Sequence, residues 1–183
     1  MFGWKISLIE ATKIVNYCMK NKINFFDTSP SYGDGLSEII CGKALKSYSR
    51  KKFILSTKFS LINNNTGIDK LIKQSINESL RRLQTSYIDY FVLHHDVSFK
   101  KLKIIIKTIK ELKSKKIIKF FILSNPSNKL LKNIPNKPPA LKYIDGFQFK
   151  HNLLFKNILF FKTLKFKNFK LISYSPLAEG ILT

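Results

Sequence analysis

Acidic residues are scarce in this chain. Eleven Asp and Glu stand against thirty-three Lys and Arg, which leaves a formal charge of +22 over 183 residues. Such an excess attracts polyanions without any specific site. The lysines are spread along the whole length, however, and the chain is also rich in Asn, Ile and Phe. Those residues share A/T-rich codons, so the composition reads as coding bias, and no specific nucleic-acid partner is expected. Cysteine is nearly absent. Cys18 and Cys41 sit at apolar positions of helical segments, which argues against a disulfide framework and suits buried thiols in a reducing, cytoplasmic compartment. No apolar run nears the roughly 18 residues of a membrane span, and MFGWKISLIE passes straight into a helical pattern, unlike a signal peptide. No Gly/Pro-rich linker divides the chain, so residues 1–183 read as one domain.

What is present is alternation. Short apolar, β-rich runs occur at 23–28, 53–58, 87–95, 117–125, 145–152 and 170–175. Between them the apolar period becomes helical. Ala11, Ile14, Val15 and Cys18 form one stripe behind a Ser7/Glu10 capping box. Leu71, Ile72, Ser75, Ser79 and Leu83 form a second, with Thr66 as the expected N-cap. Leu102, Ile105, Ile106, Ile109 and Leu112 form a third. Asn125-Pro126 reads as a further helix start. Strands alternating with helices, and apolar on both faces, predict a parallel sheet covered by helices.

Polar residues close these runs at βα-unit spacing: Asp27, Lys58, His94, Ser124-Asn125 and Tyr174-Ser175, with Gln148 inside the fifth. In a (β/α)8 barrel the C-terminal strand ends converge on one face. A doubly wound sheet also gathers ligands at strand ends, usually with a Gly-rich phosphate loop. No G-x-G-x-x-G follows a strand here, which favours the barrel. A lysine in a water-poor pocket needs a carboxylate, and Asp27 can supply it. An ammonium beside Tyr32 favours the phenolate, so the phenol becomes fit to give or take a proton. His94 can donate a hydrogen bond to a substrate carbonyl. Taken singly, each has a plain structural reading: a turn former, a solvated lysine, a packed histidine. Metal binding by His94, His95 and Asp96 is disfavoured because adjacent strand residues point to opposite faces. Together the four suit carbonyl reduction, given a hydride donor.

The segments KINFFDTSPSYGDGLSEIICGKAL, FILSTKF, ESLRRLQTSYIDYFVLHHDV, ILSN, GFQFKHNLL and ISYSPLAEGILT follow one another as in the aldo-keto reductases, which the chain resembles over nearly its whole length. The resemblance implies an NADP(H)-dependent (β/α)8 barrel acting on a small-molecule carbonyl substrate. It assigns Asp27, Tyr32, Lys58 and His94 to the catalytic tetrad, with Tyr32 as general acid. It places Ser124, Asn125 and Gln148 on the nicotinamide carboxamide, Tyr174 against the nicotinamide ring, and Ser175 and Leu177 near the pyrophosphate. No metal is implied. Family members are longer, so the expected architecture is an incomplete barrel of about seven strands, counting Met1–Trp4 as the tail of the first. On that expectation the eighth βα unit and the 2′-phosphate loop would lie outside these 183 residues. Open edges invite self-association. A barrel fragment that binds nucleotide or protein without turnover is the alternative.

Overall fold

The computed structural model describes residues 6–61, 67–133, 140–156 and 169–183. In chain order the elements are α1 (Leu8–Lys20), β1 (Phe25–Asp27), α2 (Leu36–Leu45), β2 (Ile54–Phe59), α3 (Ile68–Leu83) and β3 (Ile88–Leu93). They continue with α4 (Phe99–Ser114), β4 (Ile118–Ser124), α5 (Asn128–Asn133), β5 (Gly146–Lys150) and β6 (Lys170–Tyr174). The six strands are parallel and lie side by side in chain order. A doubly wound sheet reverses its strand order at a switch point; this one never does. Successive crossovers step in a single direction, and the sheet is an incomplete (β/α)8 barrel. The tail of a strand expected at Met1–Trp4 lies outside the described residues.

Local sequence explains most boundaries. At α1 the Glu10 carboxylate accepts the Ser7 backbone N–H at 2.8 Å, and the Ser7 hydroxyl accepts the Glu10 N–H at 3.3 Å. Two helix starts differ from the sequence reading. The N-cap of α3 is Gly67, at φ 66°, because glycine enters the left-handed region without a Cβ penalty; Thr66 lies outside the described residues. α5 begins at Asn128 and not at Pro126. Asn125 has φ 45°, outside the extended backbone of a side-chain N-cap, and the Ser127 hydroxyl accepts the Leu130 N–H at 3.2 Å. On α3 the buried line runs through Ile72, Ile76, Ser79 and Leu83, so Ile76 takes the place expected for Ser75.

Strand parity then sorts the side chains. Phe59, Phe91, Phe121 and Phe147 share one buried cluster with Ile72, Ile105 and Ile109 of the helices, so they face outward from the barrel axis. Phe59 and Phe91 stack with centroids 4.5 Å apart. Each fully buried side chain of this size stabilises by about 1.5–3 kcal/mol. Residues of the other parity, among them Ser56, Lys58, Ser124 and Gln148, are also buried but face the barrel interior.

Ion pairs fasten the N-terminal ends of the strands. Asp89 Oδ2 accepts Arg50 Nη2 at 2.6 Å and the Leu55 N–H at 3.0 Å, while Oδ1 accepts Lys119 Nζ at 2.6 Å. The Arg50 guanidinium also lies 3.9 Å from the Tyr87 ring centroid. Asp145 repeats the device two strands on, accepting the Phe121 N–H at 2.6 Å and the Lys113 ammonium. Beside it, a Cβ on Gly146 would enter the Lys170 carbonyl oxygen, so only glycine lets β5 and β6 approach here.

Candidate active site

The sheet register assembles the site. Asp27 ends β1 and pairs with Ser56 on β2; Lys58 is two residues further along the same face. The Lys58 ammonium donates to Asp27 Oδ2 at 2.6 Å and to the Thr28 carbonyl at 2.7 Å, and the Ser56 hydroxyl donates to Asp27 Oδ1 at 2.6 Å. Only 3% of the Lys58 side chain is exposed against 28% for Asp27, so the lysine end of this ion pair is withdrawn from water while the carboxylate end still meets it. Lys58 Nζ stands 5.0 Å from the Tyr32 ring centroid, and the Tyr32 and His94 rings meet edge-on at 6.1 Å. Tyr32 reaches this position on the turn between β1 and α2, where Gly33 and Gly35 both have positive φ.

His94 follows β3, its N–H bonded to the Phe59 carbonyl at 2.9 Å. Burial first, then the Lys58 and His95 charges, push its pKa down to about 4, with Asp27 opposing. The imidazole is therefore neutral at pH 7 and retains one N–H to donate. His95 is exposed, and its ring stacks on that of His94 at 4.7 Å. The two rings do not point to opposite faces, because the strand has already ended at Leu93. An NMR pH titration is expected to find His94 uncharged from pH 7.5 down to 5.5. Its folded pKa lies below the ordinary value near 6.5. The unfolded chain thus binds a proton first as pH falls, so this contribution to stability is full above about 6.5 and is lost toward 4. A His94 signal titrating near 6.5 would contradict the burial described here.

Opposite this group, Ser124 on β4 pairs in register with Gln148 on β5, and Gln148 Nε2 lies 3.4 Å from Asp27 Oδ2. Asn125 Nδ2 donates to the Tyr174 hydroxyl at 3.0 Å. Asp27, Tyr32, Lys58, His94, Ser124, Asn125, Gln148 and Tyr174 line one cavity of about 130 Å³. That is below the roughly 300–1,000 Å³ usual for small-molecule pockets, so it suits the reacting ends of ligands. The hydroxyl and amide groups on the β4–β5 side offer donors and acceptors together, as a carboxamide needs. Ser175 and Leu177 lie on the turn after β6, outside the cavity lining. Leu177 is about half exposed, and Asn152 Nδ2 donates to the Ser175 carbonyl at 2.9 Å.

Sequence reasoning missed the supporting shell: Thr28, Ser56, Thr57, Glu38, Arg82 and Asn152. Only Ser56 carried a usable signal, its i, i+2 spacing from Lys58. The second cysteine is inert. Burial first, then the charges of Glu38 and Asp27, raise the Cys41 thiol to about 12.

Known proteins share this fold. The family model described as "Aldo/keto reductase family" matches residues 1–183. L-galactose dehydrogenase of Arabidopsis thaliana is 34% identical over 186 residues, covering 95% of this chain and 57% of that protein. D-arabinose 1-dehydrogenase of Saccharomyces cerevisiae is 36% identical over 121 residues, covering 61% of this chain and 35% of that protein. An aldo-keto reductase from Bacillus halodurans, solved in its holo form, superposes with a TM-score of 0.78 at 25% identity, covering 97% of this chain and 60% of that one. One from Klebsiella pneumoniae, solved with NADP and acetate, gives 0.80 at 18% identity, covering 99% and 64%. The chain spans about half the length of the curated relatives it matches.

Proposed function

The chain belongs to the aldo/keto reductase family, and on that premise we propose that it is an NADP(H)-dependent oxidoreductase interconverting a small carbonyl compound and its alcohol. The observation that carries this reading is the convergence of Asp27, Tyr32, Lys58 and His94 on one cavity, faced by Ser124, Asn125, Gln148 and Tyr174. That second group suits a carboxamide and a flat ring, so it is the half of the site we assign to the nicotinamide. Ser175 and Leu177 follow on the turn that we assign to the pyrophosphate. When bound, NADPH supplies the hydride.

The chain's own residues do the rest. In reduction the Tyr32 hydroxyl gives its proton to the carbonyl oxygen as negative charge develops there. The Lys58 ammonium stands beside the Tyr32 ring, and Asp27 with the Thr28 carbonyl fixes it there. Neutral His94 donates a hydrogen bond to the same oxygen and sets its direction. In oxidation each transfer reverses. We read residues 1–183 as one domain. The two cysteines are free and suit a reducing cytoplasm; among the described residues no helix is long and apolar enough to cross a membrane.

Titration of the purified chain with NADPH, followed by nicotinamide fluorescence, tests the reading. Saturable binding with turnover of an aldehyde is expected; no binding by a folded chain would reject it. The open edges carry a subsidiary proposal. Among the described residues β1 and β6 are each paired on one side only, and Leu171 on β6 is 44% exposed. Unpaired strand edges recruit other strands, so copies of the chain associate through them. Sedimentation velocity is expected to show concentration-dependent dimers, and a monomer at every concentration would refute this.

A further inference from the structure

Glu38, in the first turn of α2, is completely buried. Its Oε1 accepts the Thr57 hydroxyl at 2.6 Å, and its Oε2 accepts Arg82 Nε of α3 at 2.6 Å. An apolar pair of similar volume would cost less desolvation at this point, since a buried ion pair is not in itself a stabilising choice. What the carboxylate supplies, and an apolar side chain cannot, is a directed hydrogen bond to one position of β2. That position adjoins Lys58. By strand alternation Thr57 faces the helices while Lys58 faces the cavity, so Glu38 grips β2 from behind, at the height of the lysine.

The neighbouring residue acts on the same point. The Thr28 hydroxyl donates to Ser37 Oγ at 3.0 Å, and the Thr28 carbonyl is the second acceptor of the Lys58 ammonium. Arg82 completes the frame. Gly35, at φ 87°, passes so close that a Cβ there would lie 2.8 Å from Arg82 Cδ. The turn carrying Tyr32 therefore rests on the arginine that holds Glu38.

We propose that Glu38 is a positioning residue for the site: through Thr57, and braced by Arg82, it fixes the Lys58 ammonium against Asp27 and beneath Tyr32. The effect on turnover rests on the reductase reading above; the effect on Lys58 does not. Both are measurable. Lysine-selective ¹H–¹⁵N spectra of the full chain would be recorded for the parent and for Lys58→Met, which assigns the signal. Thr57→Val, Thr57→Ser, Glu38→Gln and Glu78→Gln follow, the last removing only the partner 3.5 Å from Arg82 Nη1. A protected Lys58 ammonium signal is expected in the parent, in Thr57→Ser and in Glu78→Gln. It should shift or vanish in Thr57→Val, which keeps the Glu38–Arg82 pair and so guards against loss of folding in Glu38→Gln. In a parent that turns over, Thr57→Val lowers kcat by about 10- to 100-fold with little change in KM for NADPH, and Thr57→Ser restores it. An unchanged Lys58 signal in Thr57→Val, or no protected signal in the parent, overturns the proposal. A parent that binds no NADPH yet shows the expected Lys58 response rejects the reductase reading and leaves the positioning role standing.

Discussion

Tyr32→Phe is expected to reduce aldehyde turnover by ~10²–10⁴-fold, the usual worth of a positioned proton donor. NADPH binding should stay within a factor of two or so, because the ring remains and only the hydroxyl is removed. Among the described residues the Tyr32 hydroxyl has no hydrogen-bond partner, while its ring keeps the edge contact with His94 and the approach of Lys58. Stability should accordingly change by no more than about 0.5 kcal/mol, so loss of activity cannot be attributed to unfolding. Steady-state kinetics beside a thermal melt decide the matter. Retention of more than roughly a tenth of the parent rate would remove Tyr32 from the role of general acid and redirect attention to His94.

Asp89→Ala is expected to damage the fold severely. It strips the acceptor from Arg50, Lys119 and the Leu55 N–H at once. Breaking a buried ion pair from one side typically costs about 3–5 kcal/mol. Lys119 is half exposed and regains water, so the cost falls on Arg50, left beneath Tyr87 and Phe53, and on the orphaned strand N–H. A drop of about 6–20 °C in melting temperature follows for a domain of this size. The pH dependence has a definite sign. Burial alone would raise the Asp89 pKa, but the hydrogen bonds from Lys119, Leu55 and Arg50 outweigh it and hold the group below its ordinary value. Its contribution is therefore complete above the unfolded pKa near 3.9 and disappears as pH falls through the lower folded value. A melting temperature unchanged at pH 7 would show that the N-terminal strand ends are held by apolar packing alone.

Both variants touch residues of the same strand-and-loop grammar, yet only one was legible beforehand. Tyr32 lies in a turn whose glycines and flanking Asp27 already suggested chemistry. Asp89 sits in the middle of an apolar run, and nothing in YIDYFVL distinguishes a structural anchor from a surface residue. Its role comes from the register that brings Leu55 opposite it and from Arg50, thirty-nine residues away.

The sequence by itself determined the alternation of strands and helices, because apolar period is a local property that each segment carries alone. It also determined which polar residues close the strands, and with them Asp27, Lys58, His94, Ser124, Asn125, Gln148 and Tyr174 as cavity candidates. Short-range capping at Ser7 was equally plain. The tertiary structure decided the rest. Only the sheet register could show that Ser56 backs Asp27 and that Glu38 reaches Thr57 from behind β2. Left-handed backbone at Gly67 and Asn125 moved two helix starts away from the residues that propensity favoured. Such features depend on contacts between residues distant in the chain, and pairwise distance in space leaves no periodic trace in one sequence.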